Sequence, residues 1–384
     1  MSNSVMFKYW SGPILFFVIS FLCSSYSSAL ENQIKNEAIY IISEYGTIDK
    51  FDSNWHLLSS NKVPGLFLGL RVHDADISPD GGLLFLAVSA DPPLIIINTK
   101  DMSIREHSIK FPQHAFASYF PESLIAFTSQ YLYMADESYT GLADPFMDIM
   151  IDINKGTAMR LPSQISLNKE DVIISSQRDK VASRGLEKIN VVDVLSGKLI
   201  DSIGIPTEYR GRALTPIDVD WANNKITIRK TKSADGQSAS KITIDMVSHE
   251  SVTQKDEKFN IGNTITKIHL HSDGMQYLIE DDKANLYVVD KSTGKVVYSV
   301  EQNITSALKG HNLRLRSYLA PDSTQVIYLK DDKKEHIPQK GEYGAIDRYV
   351  YFSRLTAIDL KTNKIMKNIE FPEKIVAVLF STKN

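Results

Sequence analysis

A short turn recurs along this chain, and it constrains the fold more than any other feature. An apolar strand ends in Asp, and Gly or Asn follows four residues later. The turn is clearest at Asp193–Gly197, Asp290–Gly294 and Asp359–Asn363, and a looser copy lies at Asp152–Gly156. Self-similarity at a spacing of roughly 40–50 residues is typical of stacked supersecondary units. The sequence therefore predicts a repeat architecture.

A second turn precedes these copies and divides the repeat into four strands. It is clearest at Pro79-Asp80-Gly81, where Pro presets φ and Gly accepts a positive φ. The unit reads as strand A, this turn, strand B, a variable loop, strand C, the Asp-x-x-x-Gly turn and strand D. The last residue of strand C serves as a marker, and seven copies are found, at Ser43, Asn98, Asp152, Asp193, Asp245, Asp290 and Asp359.

Seven such units predict an all-β fold, a seven-bladed β-propeller of four-stranded antiparallel blades. Closure of the ring protects the sheet edges of such a fold. The first unit lacks a recognisable strand A, and the chain ends on an extra strand, Lys374–Phe380. We therefore expect the N- and C-terminal strands to share one blade. A pair of β-sandwiches is the alternative.

The turns carry a resemblance to known propellers. Ile77-Ser-Pro-Asp-Gly81, His271-Ser-Asp-Gly274 and the Asp-x-x-x-Gly-Lys turns look like those of the bacterial YVTN-repeat and amine-dehydrogenase-heavy-chain-like seven-bladed propellers. The resemblance covers the chain after its first 29 residues. It implies the propeller fold, and amine dehydrogenase heavy chains carry no cofactor and cradle a separate quinone-bearing subunit.

The first 29 residues have the order of a secretory signal peptide. Lys8 is the only charge in this segment, an apolar run covers Gly12–Cys23, and Ser27-x-Ala29 forms a cleavage site. The apolar run is shorter than the roughly 20 residues that a membrane-spanning helix needs. We therefore predict an exported protein, periplasmic or secreted, with no transmembrane span after cleavage and a single propeller domain at residues 30–384. An uncleaved anchor and a lipoprotein remain open.

Composition and missing motifs disfavour several classes of function. Cys23 is the only cysteine, so the mature chain would have no disulfide, no Cys-ligated metal and no Cys nucleophile. The net charge of −3 disfavours nucleic acid as a partner. The chain has no P-loop, no Gly-x-Ser-x-Gly and no Cys-x-x-Cys-His, and we predict neither a cofactor nor a metal.

Strand direction predicts two different faces of the ring. The A–B and C–D turns lie on one face, the short-turn face, and the B–C and D–A connections lie on the other, the insertion face. We expect the large insertions in B–C loops, and binding on the face that carries them. These insertions are predicted at Gln130–Pro145, Gln177–Glu187, Lys230–Ser240 and Asp331–Tyr351.

Two groups of residues are candidates for function. Aromatic and Arg side chains of the insertions favour recognition of a protein or glycan partner. The predicted binding residues are Tyr131, Tyr133, Tyr139, Tyr343, Arg348 and Tyr349. His and Asp at the mouth of the central channel could act as acid and base or fill the channel by hydrogen bonding. The weaker catalytic candidates are His73, Asp74, Asp76 and His114.

Three functions remain open. The first is an exported binding or scaffold propeller, which acts through the insertion face and is not an enzyme. The second is the propeller subunit of a periplasmic redox enzyme that resembles amine dehydrogenase heavy chain. The third is a lactonase- or lyase-type enzyme at the channel mouth.

Overall fold

The computed structural model describes most of the chain between residues 36 and 382. The described ranges are 36–66, 71–111, 121–136, 147–161, 167, 172–185, 187–210, 217–231, 238–259, 261, 265–270, 276–281, 285–300, 315–321, 324–341 and 344–382. The predicted signal peptide lies outside these residues, as do His114, Tyr139 and Tyr343.

Within the described residues, twenty-eight strands form seven four-stranded antiparallel sheets, which are the blades of the predicted propeller. Each sheet below is given from its innermost strand A to its outermost strand D. Blade 1 consists of β28 (Ile375–Thr382), β1 (Asn36–Ser43), β2 (Thr47–Phe51) and β3 (Leu57–Lys62). Blade 2 consists of β4 (Val72–Ile77), β5 (Leu83–Val88), β6 (Leu94–Asn98) and β7 (Ile104–Arg105). Blade 3 consists of β8 (Pro121–Ala126), β9 (Tyr131–Asp136), β10 (Met147–Asp152) and β11 (Thr157–Arg160).

The remaining blades follow the same order. Blade 4 consists of β12 (Val172–Ile174), β13 (Lys180–Arg184), β14 (Lys188–Asp193) and β15 (Leu199–Gly204). Blade 5 consists of β16 (Ile217–Asp220), β17 (Lys225–Thr231), β18 (Ser238–Asp245) and β19 (Ser251–Lys258). Blade 6 consists of β20 (Ile265–Leu270), β21 (Gln276–Asp281), β22 (Leu286–Asp290) and β23 (Val296–Val300). Blade 7 consists of β24 (Leu315–Leu319), β25 (Gln325–Gly341), β26 (Gly344–Asp359) and β27 (Lys364–Phe371).

The C-terminal strand closes the ring, as predicted. β28 supplies strand A of blade 1 and pairs with β1 in an antiparallel register that sets Val378 opposite Ile41. The first and last described strands are therefore joined by an antiparallel backbone ladder, and the all-β, seven-bladed fold is confirmed.

The recurring Asp turn is confirmed at the end of strand C in blades 3 to 7, and Asn98 takes its place in blade 2. In blade 6 the amide of Gly294 donates to the carbonyl of Asp290 at 2.8 Å, and Gly294 has a φ of 66°. The carboxylate of Asp290 accepts from the amide of Thr293. Hydrogen bonds from the hydroxyl of Ser292, and from the hydroxyl and amide of Thr293, hold the pKa of the Asp290 carboxyl below its ordinary value, because they stabilise the ionised form.

The marker that we placed at Ser43 in blade 1 is wrong. Ser43 ends strand B, so the Ser43–Gly46 turn joins strands B and C on the insertion face. Strand C of this blade ends one residue before Asp52, whose carbonyl accepts from the amide of Trp55 at 3.0 Å. Trp55 has the positive φ of this shorter turn, at 66°. Because this residue is not Gly or Asn, the turn does not match the recurring sequence pattern.

Two of the predicted insertions are also placed wrongly. In blade 3 the range 130–145 includes strand β9, so only residues 137–146 connect strands B and C. In blade 4 the range 177–187 consists of part of the A–B turn, strand β13 and a connection of only three residues, 185–187. The connection at 232–237 in blade 5 lies between strands B and C as predicted, and so does the insertion of blade 7.

The hydrophobic core lies between neighbouring blades. Strands A to C supply most of it, since both faces of each inner strand are covered. Leu84 and Leu86 of β5, for example, pack in one cluster with Tyr40 and Ile42 of β1. The alternating faces of each blade therefore bind the ring together and hold the connections on both faces in fixed positions.

Candidate functional site

The two faces of the ring differ in the length of their connections. Between the described strands, no A–B or C–D turn on the short-turn face is longer than five residues. The insertion face carries the long connections, among them residues 106–120 and 301–314 between blades and 137–146 within blade 3. The longest insertion within a blade extends β25 and β26 of blade 7. The connections on the insertion face therefore differ in length from blade to blade, whereas those on the short-turn face are uniformly short.

The insertion of blade 7 is a two-stranded β-ribbon, where the sequence predicted a loop. β25 and β26 stay paired from Gln325–Asp359 to Gly341–Gly344, whereas their neighbours end much earlier. β24 reaches only the Leu315–Lys330 pair, and β27 reaches only the Ser353–Phe371 pair. We call residues 332–352 of this ribbon the arm. The predicted binding residues Arg348 and Tyr349 lie on its second strand, in register with Ile337 and His336.

A buried polar network lies at the root of the arm. Asp331 and Ser353 are directly paired, and the Ser353 hydroxyl donates to the Asp331 carboxylate at 2.6 Å. Ser353 is fully buried, and Asp331 is 6% exposed. Arg316 of β24 forms an ion pair with Asp331 at 3.2 Å. The arm therefore begins from two buried polar residues and a cation on the innermost strand.

The same network holds the closing strand of the ring. Arg316 donates to the carbonyl of Val376 at 2.9 Å and also to the carbonyl of Ile375. The Ser353 hydroxyl accepts from the amide of Ile375 at 2.9 Å. Blade 7, the arm and strand A of blade 1 are thus joined at one point. Arg316 and Ser353 were not among the residues predicted from the sequence, and Asp331 was predicted only as the first residue of an insertion.

A second ionisable cluster lies beside this network on the insertion face of blade 1. Glu373 accepts from the hydroxyl of Ser43 and from that of Thr47, the latter at 3.2 Å. Lys62 forms an ion pair with Glu373 at 3.4 Å. The backbone amide of Glu44 donates a hydrogen bond to the carbonyl of Lys374.

Glu44 is the most buried acid of this cluster. Burial raises the pKa of its carboxyl, and the positive charge of Arg71, 3.7 Å away, opposes this effect. Burial also raises the pKa of the neighbouring Tyr45. The insertion face therefore carries acids and bases around blades 7 and 1, which suits polar recognition.

The predicted catalytic candidates of blade 2 lie on its innermost strand. His73, Asp74 and Asp76 are all in β4 and are partly buried. The carboxylate of Asp74 accepts from the amide of Leu124 at 2.8 Å, and that of Asp76 accepts from the amide of Ala126 at 2.9 Å. Both acceptors serve strand A of the next blade, so these carboxylates link blades 2 and 3.

Arg316 has the equivalent position in blade 7. The amides of Ser78 and Ala320 both close the A–B turn of their blade, which aligns Asp74 with Arg316. Asp74 accepts from an amide of the next blade, whereas Arg316 donates to carbonyls of the next blade. One position of strand A thus joins neighbouring blades with either charge.

The aromatic candidates of blade 3 lie in strand β9 rather than in a loop. Tyr133 is fully buried, and its hydroxyl donates to Asp148 and accepts from the amide of Leu167 at 3.0 Å. Tyr131 is partly buried at the start of the strand. Burial raises the pKa of Asp148, while the hydrogen bond from Tyr133 opposes that rise. Tyr133 is therefore bound within the core and does not reach the surface.

A metal-binding cluster and a membrane-spanning helix are both absent from the described residues. Among these residues, no three His, Cys, Asp or Glu side chains cluster closely enough to hold a metal ion. Within the same part of the chain, no helix combines the length and apolar character needed to cross a bilayer.

Comparison with known proteins supports no assignment to a family. No family model matches the chain. No curated protein matches its sequence.

Solved structures resemble the chain only in fold. A dihydro-heme d1 dehydrogenase, NirN, in complex with DHE is 11% identical, with a TM-score of 0.46 over 89% of this chain and 74% of that chain. A eukaryotic initiation factor is 10% identical, with a TM-score of 0.48 over 90% of this chain and 98% of the other. The β-propeller domain of Cps50 (Swd1) from Myceliophteria thermophila is 12% identical, with a TM-score of 0.47 over 76% and 89% of the two chains.

Proposed function

We propose that this protein is an exported scaffold propeller that binds a protein partner through its insertion face. The arm is the observation that carries the proposal, because it extends both middle strands of blade 7 well beyond their neighbours. Long segments on a rigid scaffold are where binding concentrates. The predicted signal peptide supports export to the periplasm or the extracellular space.

The root of the arm supports the same function. A flexible loop loses conformational entropy when it binds, whereas a preorganised element loses less. The network of Arg316, Asp331 and Ser353 fixes the arm to the ring at its base. A partner that contacts the arm is therefore presented with a ribbon whose direction is set by the ring.

The channel-mouth enzyme has less support. The carboxylates of Asp74 and Asp76 each hold a backbone amide of the next blade. A general base must be within hydrogen-bond reach of the proton that it removes, and these carboxylates serve the fold.

Shortening the arm tests the proposal. Asp332 and Phe352 are a register pair, so an Asn-Gly dipeptide can replace residues 333–351 as a two-residue hairpin turn. We expect the shortened protein to keep its thermal unfolding transition and to lose the partner that the full-length protein co-purifies from its source cells. The matched control is Lys361→Glu on the short-turn face of the same blade, which should retain the partner. The proposal would be contradicted if the shortened protein retained the partner while the Lys361→Glu control lost it.

A further inference from the structure

The arm has two strand edges, and their own neighbours end at its root. β24 stops at the Leu315–Lys330 pair on one side, and β27 stops at the Ser353–Phe371 pair on the other. In the described part of the chain, no strand pairs with the arm beyond these points. A strand edge without a neighbour presents a row of backbone donors and acceptors that can pair with another chain.

The edge of the first strand, β25, is protected against such pairing. Pro338 has no N–H to donate, and a β-bulge interrupts the register between Lys334 and His336. Lys333, Lys334 and Lys340 add three cations to a short segment. Proline, bulges and lysine are the devices with which natural proteins block strand edges.

The second strand, β26, has none of these devices in the arm. The segment Ala345–Tyr351 contains no Pro and no Lys, and its residues are consecutive in the register with β25. It contains Ile346, Tyr349 and Val350, which have high strand propensity. One edge of the arm is therefore blocked, and the other is kept regular.

Hydrogen-bond alternation identifies the groups on the regular edge. The amide of Ala320 donates to the carbonyl of Gln325, and the amide of Leu360 donates to the carbonyl of Thr324. Even-numbered residues of β26 therefore direct their backbone N–H and C=O toward β25, because these groups alternate along an antiparallel strand. The backbone groups of the odd-numbered residues form the outer edge of the arm. These residues are Ala345, Asp347, Tyr349 and Tyr351.

We propose that this edge, Ala345–Tyr351, accepts an extended strand from the partner protein by β-augmentation. The inference rests on the proposed function and states how the partner protein would bind to the arm. The added strand would continue the line of β27, which leaves the sheet at Phe371. Seven residues give an edge of about 23 Å at about 3.3 Å each, which suits a strand of usual length.

An extended polypeptide is the occupant that fits this edge. Alternating N–H and C=O groups in one line are matched by the backbone of another strand, and in this mode the main chain supplies affinity. A glycan does not offer donors and acceptors at the spacing of a β-strand. The segment also carries both Asp347 and Arg348, so no single sign of charge selects the partner.

Two variants at Tyr349 test this inference. Tyr349→Pro removes an outward N–H and leaves the inward groups of Arg348 and Val350 in place, whereas Tyr349→Val removes the ring and keeps the amide. The probes are linear nonapeptides selected by phage display on the full-length protein, then synthesised and measured by fluorescence anisotropy. We expect the selected peptides to bind Tyr349→Pro at least about tenfold more weakly, since backbone pairing is lost at the centre of the edge. Tyr349→Val should stay within about threefold of the unsubstituted protein.

Amide hydrogen exchange at single-residue resolution is the second measurement. With a selected peptide bound, the outward amides of Ala345, Asp347, Tyr349 and Tyr351 should gain protection. Equal binding to both variants, failure to select any peptide, or protection confined to other residues would overturn the inference.

Sedimentation distinguishes a second copy of this chain from a separate partner. A dimer of the unsubstituted protein that Tyr349→Pro dissociates would place another β26 on the edge and contradict a separate partner. The arm-shortened protein separates this inference from the proposed function. If it loses the co-purified partner while Tyr349→Pro retains it, only the strand pairing fails.

Discussion

Arg316 and Asp331 form an ion pair of 3.2 Å at the point where the arm leaves blade 7. Arg316 also donates to the first two carbonyls of the closing strand. The pair therefore serves the root of the arm and the closure of the ring together. This arrangement makes the insertion face of blades 7 and 1 a rigid base for recognition.

Removal of the Asp331 carboxylate should destabilise the protein strongly. Asp331→Ala removes this counter-charge of Arg316 and the acceptor of the Ser353 hydroxyl. Because the Arg316 side chain is 28% exposed, the cost should lie below that of a fully buried pair, at about 2–3 kcal/mol. The matched control is Arg354→Ala in the same blade. Arg354 forms an ion pair with Glu370 in which both side chains are exposed. That variant should cost less than about 1 kcal/mol. Urea unfolding compares the two, and equal losses would contradict the role of the network.

The buried carboxyl of Asp148 should make stability fall as the pH rises. Its folded-state pKa is raised above the ordinary 3.8, so the folded protein binds more protons than the unfolded chain between those two values. The contribution of Asp148 is thus fully present below the unfolded-state pKa and is lost as the pH rises through the folded-state pKa. Asp148→Asn should abolish this component. Urea midpoints of both proteins from pH 3.5 to 8 test the sign, and parallel curves would contradict it.

Asp74 should act in stability, as an acceptor between blades. Asp74→Ala leaves the amide of Leu124 without this partner, and an unsatisfied buried donor costs about 1–3 kcal/mol. Asp74→Asn keeps a carbonyl oxygen at the same place and should cost less than half as much. Thermal denaturation measures both variants. A role as a general base predicts the opposite, namely that both variants keep their stability.

Tyr133 should behave as a core residue. Tyr133→Phe removes the hydroxyl that bonds to Asp148 and to the amide of Leu167, at a cost of about 1–3 kcal/mol. The variant should bind the co-purified partner with unchanged affinity once it is folded. Calorimetric unfolding and a binding titration separate the two effects, and a loss of binding without a loss of stability would contradict the assignment.

The fold could be predicted from the sequence because the turns carry their own chemistry. The turn needs a carboxylate that accepts from a backbone amide and, four residues later, a residue with a positive φ. Asp290 and Gly294 meet these two needs, and few other residue types do. The turns that the sequence did not predict have other residues at these positions. Arg178, with a φ of 57°, takes the left-handed conformation in blade 4, and the A–B turn of blade 3 contains neither Gly nor Pro.

The candidate site could be predicted only in part. Strand direction assigned the insertion of blade 7 to the correct face, because an antiparallel blade fixes which ends its connections join. The network of Arg316, Asp331 and Ser353 could not be found in this way. Its members lie on three neighbouring strands of blade 7, and their contacts with Ile375 and Val376 exist only because β28 closes the ring beside them.

Crosslinking from the two faces of blade 7 tests the central claim most directly. Cys23 is the only natural cysteine, so Gln339→Cys in the arm and Lys361→Cys on the short-turn face, each with Cys23→Ser, carry a single thiol for a benzophenone maleimide. After irradiation in source-cell extract, mass spectrometry identifies the attached protein. We predict that the co-purified partner is attached to the Gln339→Cys variant and absent from the Lys361→Cys variant. Attachment from Lys361→Cys alone would contradict the account.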